Sequence, residues 1–132
     1  MSTSFTHSIV VVDDEVELAT LFKTFLENQG YDVVSFTDPV LALEYFKATE
    51  DKHSLIITDL RMPAISGIDL AKSIREINSK IKIFLMTAFD TTDFKDNENF
   101  KKAKINRILQ KPIHFADLKQ MIYESLLLLN TE

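Results

Sequence analysis

The chain has 132 residues, with 15 Lys and Arg against 20 Asp and Glu, a formal net charge of −5. It contains no Cys, which excludes disulfides, thiolate metal sites and cysteine nucleophiles. An apolar fraction of 45% is too high for a disordered chain, and no apolar run reaches the roughly 18–20 residues of a membrane span.

The length suits one domain. Residues 1–8 lack a basic region followed by an apolar core, so no secretory signal is expected. The negative balance speaks against nucleic acid as the main partner. A soluble, cytoplasmic domain is the expectation.

Ile9, Val10, Val11 and Val12 form a β-branched run that ends in Asp13 and Asp14. A strand apolar on both faces belongs inside a parallel sheet. Leu18, Leu21, Phe22, Phe25 and Leu26 then trace one helix face, and Gly30 stands where a glycine ends a helix. Val33, Val34, Ser35 and Phe36 make a second strand. Asp38-Pro39 supplies an N-cap and a proline at the first helical position, before an apolar face of Ala42, Leu43 and Phe46. A third strand begins at Leu55 and ends at Asp59. A loop through Met62-Pro63 and Ser66-Gly67 leads to a helix carrying Leu70, Ala71, Ile74 and Ile77. Residues 81–86 form a fourth strand ending at Thr87-Ala88, and residues 90–104 read as a loop with a short helix. A fifth strand, from Arg107 to Gln110, ends at Lys111-Pro112. Leu118, Met121, Ile122, Leu126 and Leu129 give a closing helix.

Alternation of this kind predicts an α/β fold: an open, doubly wound parallel sheet with helices on both faces. An eight-unit barrel needs roughly 200 residues or more. Open sheets of this type bind ligands at the carboxyl ends of their strands. Asp13, Asp14, Asp59, Thr87 and Lys111 all stand at that edge, so three carboxylates, a hydroxyl and an ammonium are expected to converge. Polar residues commonly begin where strands end, which accounts for any one of these. It accounts poorly for four strand ends together.

Three carboxylates within a few ångströms repel one another and raise each other's pKa unless compensated. Lys111 offers one positive charge, and a divalent cation would supply the rest. Oxygen donors without His or Cys favour Mg²⁺ or Mn²⁺ over zinc. Such a site suits phosphoryl transfer, in which charge neutralisation and in-line positioning dominate. One carboxylate could itself be the nucleophile and carry an aspartyl phosphate. With Gly30 and Gly67 the only glycines, the glycine-rich nucleotide-binding loops are excluded. Ser4 and Ser66 lack a nucleophile-elbow context.

Val12-Asp13-Asp14-Glu15, Asp59-Leu60-Arg61-Met62-Pro63 with Gly67 eight residues after Asp59, Thr87-Ala88 and Lys111-Pro112 occur in that order, each at a strand end. In these motifs the chain resembles the receiver domain of two-component response regulators, over residues 8–129. The resemblance implies a flavodoxin-like sheet with strand order 2-1-3-4-5. It implies that Asp59 is the phosphoacceptor, and that Asp13, Asp14, Asp59 and the main-chain carbonyl of Arg61 hold Mg²⁺ (or Mn²⁺). Thr87 would be the switch hydroxyl, with Ala88 and Lys111 also at the phosphoryl group, and the bond before Pro112 would be cis. A histidine kinase or phosphotransfer protein would be the donor. A downstream protein, or a second copy of the chain, would read a surface on helix four, strand five and helix five. With residues 1–7 and 130–132 as short ends, a single-domain regulator without an output domain is expected.

The chain departs from the family pattern at two places. Position 108 is Ile, where Tyr or Phe is usual three residues before the lysine. The stretch from Phe89 to Asn106 is slightly long, and Lys104-Ile105-Asn106 replaces a small Gly-Ala element.

Arg61 and Phe89 flank the site. Arg61 reads equally well as a solvated loop arginine, and the two together are expected to tune access of hydrolytic water and so the lifetime of the phosphate. Lys95, Lys101, Lys102 and Lys104, interleaved with acids, read as a solvated helix face. Four leucines, at positions 126 to 129, cannot share one helix face, so Leu127 and Leu128 are assigned to a partner or dimer contact. His7, His53 and His114 read as loop or helix-start residues. The rivals are a Mg²⁺-dependent phosphatase with an aspartyl-phosphate intermediate, and a receiver-like docking module that takes no phosphate.

Overall fold

The structure, a computed structural model, describes residues 7–130, with side chains described to Leu127. Five strands and five helices alternate: β1 (Ser8–Val12), α1 (Val16–Asn28), β2 (Asp32–Phe36), α2 (Pro39–Thr49), β3 (Leu55–Asp59), α3 (Gly67–Ile77), β4 (Lys82–Thr87), α4 (Glu98–Ala103), β5 (Arg107–Gln110) and α5 (Phe115–Asn130). A single 3₁₀ turn, Thr91–Asp93, lies between β4 and α4. The strands are parallel in the order 2-1-3-4-5. Both features match the sequence-based expectation.

Alternate strand residues point to opposite faces, which divides the core in two. Ile9, Val11, Ile57, Phe84 and Met86 pack on Phe22 and Leu26 of α1 and on Leu118, Ile122 and Leu126 of α5. Val10, Val12, Ile56 and Ile83 pack on Ala42 and Phe46 of α2, Leu70, Ala71 and Ile74 of α3, and Ala103 of α4.

Local signals set the element ends. Asp38 accepts a hydrogen bond from the Val40 amide at 2.9 Å, and Ser66 accepts from the Asp69 amide at 3.1 Å. Gly30 has φ +97°, and the Tyr31 and Gly30 amides close back on Leu26 and Glu27, a Schellman ending of α1. α4 ends on Lys104, a non-glycine residue in the left-handed region at φ 50°.

Leu21 differs from the expected apolar helix face. Leu21 is 49% exposed, because α1 centres its buried face on Phe22 and Leu26, with Ala19 beside them, and Leu21 lies about 100° round the helix from Phe22. His53 is a loop residue, as expected, and is buried. Tyr45 and Phe46 flank its ring, and its nitrogens bond the hydroxyls of Ser8 at 2.7 Å and Thr49 at 3.2 Å. Leu126 is buried and Leu127 is 45% exposed. The side chains of Leu128 and Leu129 lie outside the described residues.

Candidate functional site

The carboxyl edge of the sheet gathers the polar residues. Asp13 follows β1, and its amide extends the ladder by bonding the Phe36 carbonyl at 3.0 Å. Its side chain is fully buried. Asp13 Oδ1 accepts from the Glu15 amide at 2.9 Å, whereas Oδ2 is buried without a hydrogen-bond partner among the described residues. Asp59 ends β3. Its Oδ1 accepts from the Leu60 amide at 2.9 Å, and its Oδ2 lies 3.1 Å from Lys111 Nζ. Asp14 is exposed at the rim. One carboxylate oxygen each from Asp13, Asp14 and Asp59 lie within 4.8 Å of one another.

Burial pushes the Asp13 carboxyl up to about 6; the nearby Asp59 charge adds to this, while the Glu15 amide and Lys111 oppose it. A buried carboxylate oxygen with no donor is costly unless a cation completes it. An orphaned Asp13 oxygen, two further carboxylates and no His or Cys in the group fit a hard divalent cation of the Mg²⁺ kind.

Gly67, the first residue of α3, is what lets that helix start so close to the site. A Cβ there would fall on the Asp59 carbonyl oxygen and lie 2.9 Å from its carbonyl carbon. The Gly67 amide instead bonds the Leu60 carbonyl at 2.7 Å, and the Leu60 amide also bonds Met86 on β4 at 2.9 Å. The segment after Asp59 is thereby tied to both neighbours.

Thr87 is buried at the end of β4, one residue beyond Met86, the register partner of Asp59. Its Oγ accepts from the Phe89 amide at 2.8 Å, and its carbonyl accepts from the Lys111 amide at 2.9 Å. Ala88 is exposed beside it. The Lys111–Pro112 bond is cis, as expected. Arg61 is exposed in the β3–α3 loop, with its guanidinium carbon 4.2 Å from the centroid of the Phe89 ring, a cation–π contact. Gln110 Nε2 donates to the Phe89 carbonyl at 3.1 Å.

The structure thus brings Asp13, Asp14, Asp59 and Lys111 together, sets Thr87 on the next strand, and pairs Arg61 with Phe89. Ile108 is half-buried against Leu60, Ile68, Leu85 and Phe94, so the aromatic rings at this corner come from Phe94 and Phe100 rather than from β5. Sequence reading did not find the bonds of Phe89 to Thr87 and Gln110. Two of the groups are main-chain atoms, which carry no residue signature. Leu127 lies on α5, far along the chain from these groups.

The sequence matches the model of the response regulator receiver domain over residues 9–123. It is 32% identical over 119 residues to the response regulator receiver protein CpdR of Brucella abortus, covering 90% of this chain and 96% of CpdR. It is 39% identical over 82 residues to the alkaline phosphatase synthesis transcriptional regulatory protein PhoP of Bacillus subtilis, covering 62% of this chain and 33% of PhoP. The chain therefore spans about a third of that relative's length. Among solved structures, the response regulator protein TrrA from Thermotoga maritima, in complex with Mg²⁺-BeF, superposes with a TM-score of 0.78 at 28% identity, covering 91% of this chain and 99% of TrrA. A receiver domain protein from Clostridium thermocellum superposes with a TM-score of 0.80 at 26% identity, covering 90% of this chain and 93% of that one. By its sequence match and its fold, the chain belongs to the response regulator receiver domain family.

Proposed function

We propose that the chain relays a signal by accepting a phosphoryl group on Asp59 from the phosphohistidine of a histidine kinase or phosphotransfer protein. The observation that carries this is the position of Asp59, with Lys111 Nζ at 3.1 Å and carboxylate oxygens of Asp13 and Asp14 within 4.8 Å of its own. A carboxylate oxygen of Asp59 forms the new O–P bond as the P–N bond of the donor breaks and its imidazole leaves with the electron pair. Lys111 offsets charge on the phosphoryl oxygens, and the Thr87 hydroxyl on the adjacent strand can donate to one of them.

Asp13, Asp14, Asp59 and the Arg61 main-chain carbonyl would hold the cation. Bound there, Mg²⁺ neutralises charge on the transferring group and allows a dianionic phosphate to sit beside two further carboxylates. The Mg²⁺-BeF complex of TrrA supports this assignment.

The product is a signal: phosphorylation biases a two-state surface toward a partner. Exposed Tyr123 and Leu127, one turn apart on α5, offer one contact for a downstream protein or second copy. No helix among the described residues is long and apolar enough to cross a membrane, consistent with the proposed cytoplasmic location.

The test is chemical. After incubation with Mg²⁺ and acetyl phosphate, borohydride reduces an acyl phosphate to an alcohol. Peptide mapping is expected to find homoserine at position 59. Homoserine at another aspartate, or none, would contradict the assignment.

A further inference from the structure

Arg75, in the last turn of α3, makes no salt bridge with a carboxylate among the described residues. Its guanidinium is filled by acceptors from two segments, residues 79–81 and 103–106. Nε donates to the Ala103 carbonyl at 3.0 Å, and Nη2 donates to the Lys104 carbonyl at 3.0 Å and the Asn106 side-chain oxygen at 3.2 Å. Nη1 donates to the carbonyls of Ile81 at 2.6 Å and Ser79 at 3.1 Å. Apart from the Asn106 side chain these acceptors are main-chain carbonyls, so the cation is held without an acid, and those of Ala103 and Lys104 stand at the negative end of α4. The Asn106 side-chain oxygen also accepts from the Ile83 amide at 2.7 Å, which fixes the same corner to β4.

α4 has six residues, too few to hold as a helix alone. Arg75 fixes its carboxyl end to α3. At the other end, Asn99 Nδ2 donates to Asp69 Oδ1 of α3 at 2.9 Å. The preceding segment is built differently. The described hydrogen bonds of residues 90–96 close on the segment itself and on Asn97. It is joined to the candidate site through the Phe89 amide on Thr87 Oγ.

We propose that Arg75 is a clamp that makes α4 a fixed extension of α3, so that phosphorylation is read out by residues 88–97 and not by displacement of α4. The second half rests on the phosphotransfer to Asp59 proposed above; the clamp itself does not. Moving α4 would break several charge-assisted bonds at once, whereas residues 90–96 keep their hydrogen bonds local and are anchored by one buried side chain, Phe94, packed on Leu60, Ile68, Leu85 and Phe100. Lysine cannot replace the clamp, because an ammonium lacks the planar fork that reaches diverging carbonyls. Arg75 is a positioning residue, remote from the carboxylates.

Hydrogen exchange of the full chain, read by mass spectrometry, tests this. Wild type, Arg75→Gln and Arg75→Lys are compared with and without Mg²⁺ and acetyl phosphate, and phosphate occupancy is checked by intact mass. Unphosphorylated variants are expected to exchange at least about tenfold faster across residues 98–106, with β1 and β3 unchanged. Phosphorylated wild type is expected to change across 88–97 and not across 98–106. Should Arg75→Gln fail to fold, Arg75→Lys gives the same comparison with the charge kept. Unchanged exchange at 98–106 in the folded variants overturns the clamp. A phosphate-dependent change at 98–106 as large as that at 88–97 in wild type overturns the readout. If no phosphate is acquired, phosphotransfer to Asp59 fails and the readout falls with it, while the unphosphorylated comparison still decides the clamp.

Discussion

Lys111 Nζ lies 3.1 Å from Asp59 Oδ2, and the Lys111 amide is bound to the Thr87 carbonyl at 2.9 Å. One residue at the end of β5 thus places a cation on the candidate nucleophile while its main chain anchors the strand end that carries the hydroxyl. Replacing it with an apolar residue of similar length removes the charge and keeps the stem. Lys111→Met is expected to slow phosphorylation from acetyl phosphate by roughly 10²-fold, with far-UV circular dichroism unchanged. A rate within a factor of about two of wild type would remove Lys111 from the site's chemistry.

Asp13 makes metal-free stability depend on pH. Its folded-state pKa is raised from 3.8 to about 6 by burial. The linked stability is therefore fully present below pH 3.8 and lost as pH rises through about 6. At pH 7 the metal-free protein bears the whole cost, roughly 2–3 kcal/mol. Asp13→Asn is expected to be more stable than wild type in EDTA at pH 7, with the difference closing toward pH 4. Mg²⁺ should stabilise wild type and barely affect the variant. Urea melts with and without Mg²⁺ at the two pH values measure both effects.

Gly67→Ala sets a Cβ against the Asp59 carbonyl, a main-chain group that cannot rotate away. Destabilisation of about 1–3 kcal/mol is expected from overpacking, read as a lower urea midpoint at unchanged slope. Phosphorylation should slow as well, because the shift falls on the nucleophile's own residue.

Arg61 and Phe89 are joined by a cation–π contact, and the proposal is that the pair shields one side of the site. Arg61→Ala and Phe89→Ala are each expected to hasten loss of phosphate by opening a path for water. The double variant should resemble either single one, since each breaks the same contact. Dephosphorylation followed by intact mass gives the rates. Unchanged rates in both single variants would return the pair to ordinary solvated loop residues.

Much of the site was legible because its carriers stand where apolar runs stop. Asp13, Asp59, Thr87 and Lys111 each follow a strand whose length the hydrophobic run defines. Other features have no local signature. Leu21 matches the helical spacing, yet burial depends on how wide a face α1 presents, which only packing decides. His53, between Lys52 and Ser54, reads as a loop residue and is one, yet nothing local announces that Tyr45 and Phe46 close over it. Ala64 and Lys104 take positive φ of 72° and 50° without being glycine. Arg75 finds its partners among main-chain carbonyls up to 29 residues away, which no side-chain pattern announces.

The central claim is that Asp59 takes the phosphoryl group. Wild type and Asp59→Asn, incubated with Mg²⁺ and acetyl phosphate or a phosphorylated histidine kinase, are compared by intact mass. Wild type is expected to gain the mass of one phosphate, in a Mg²⁺-dependent manner, and Asp59→Asn none. No gain in wild type with either donor, or an equal gain in Asp59→Asn, would contradict the claim.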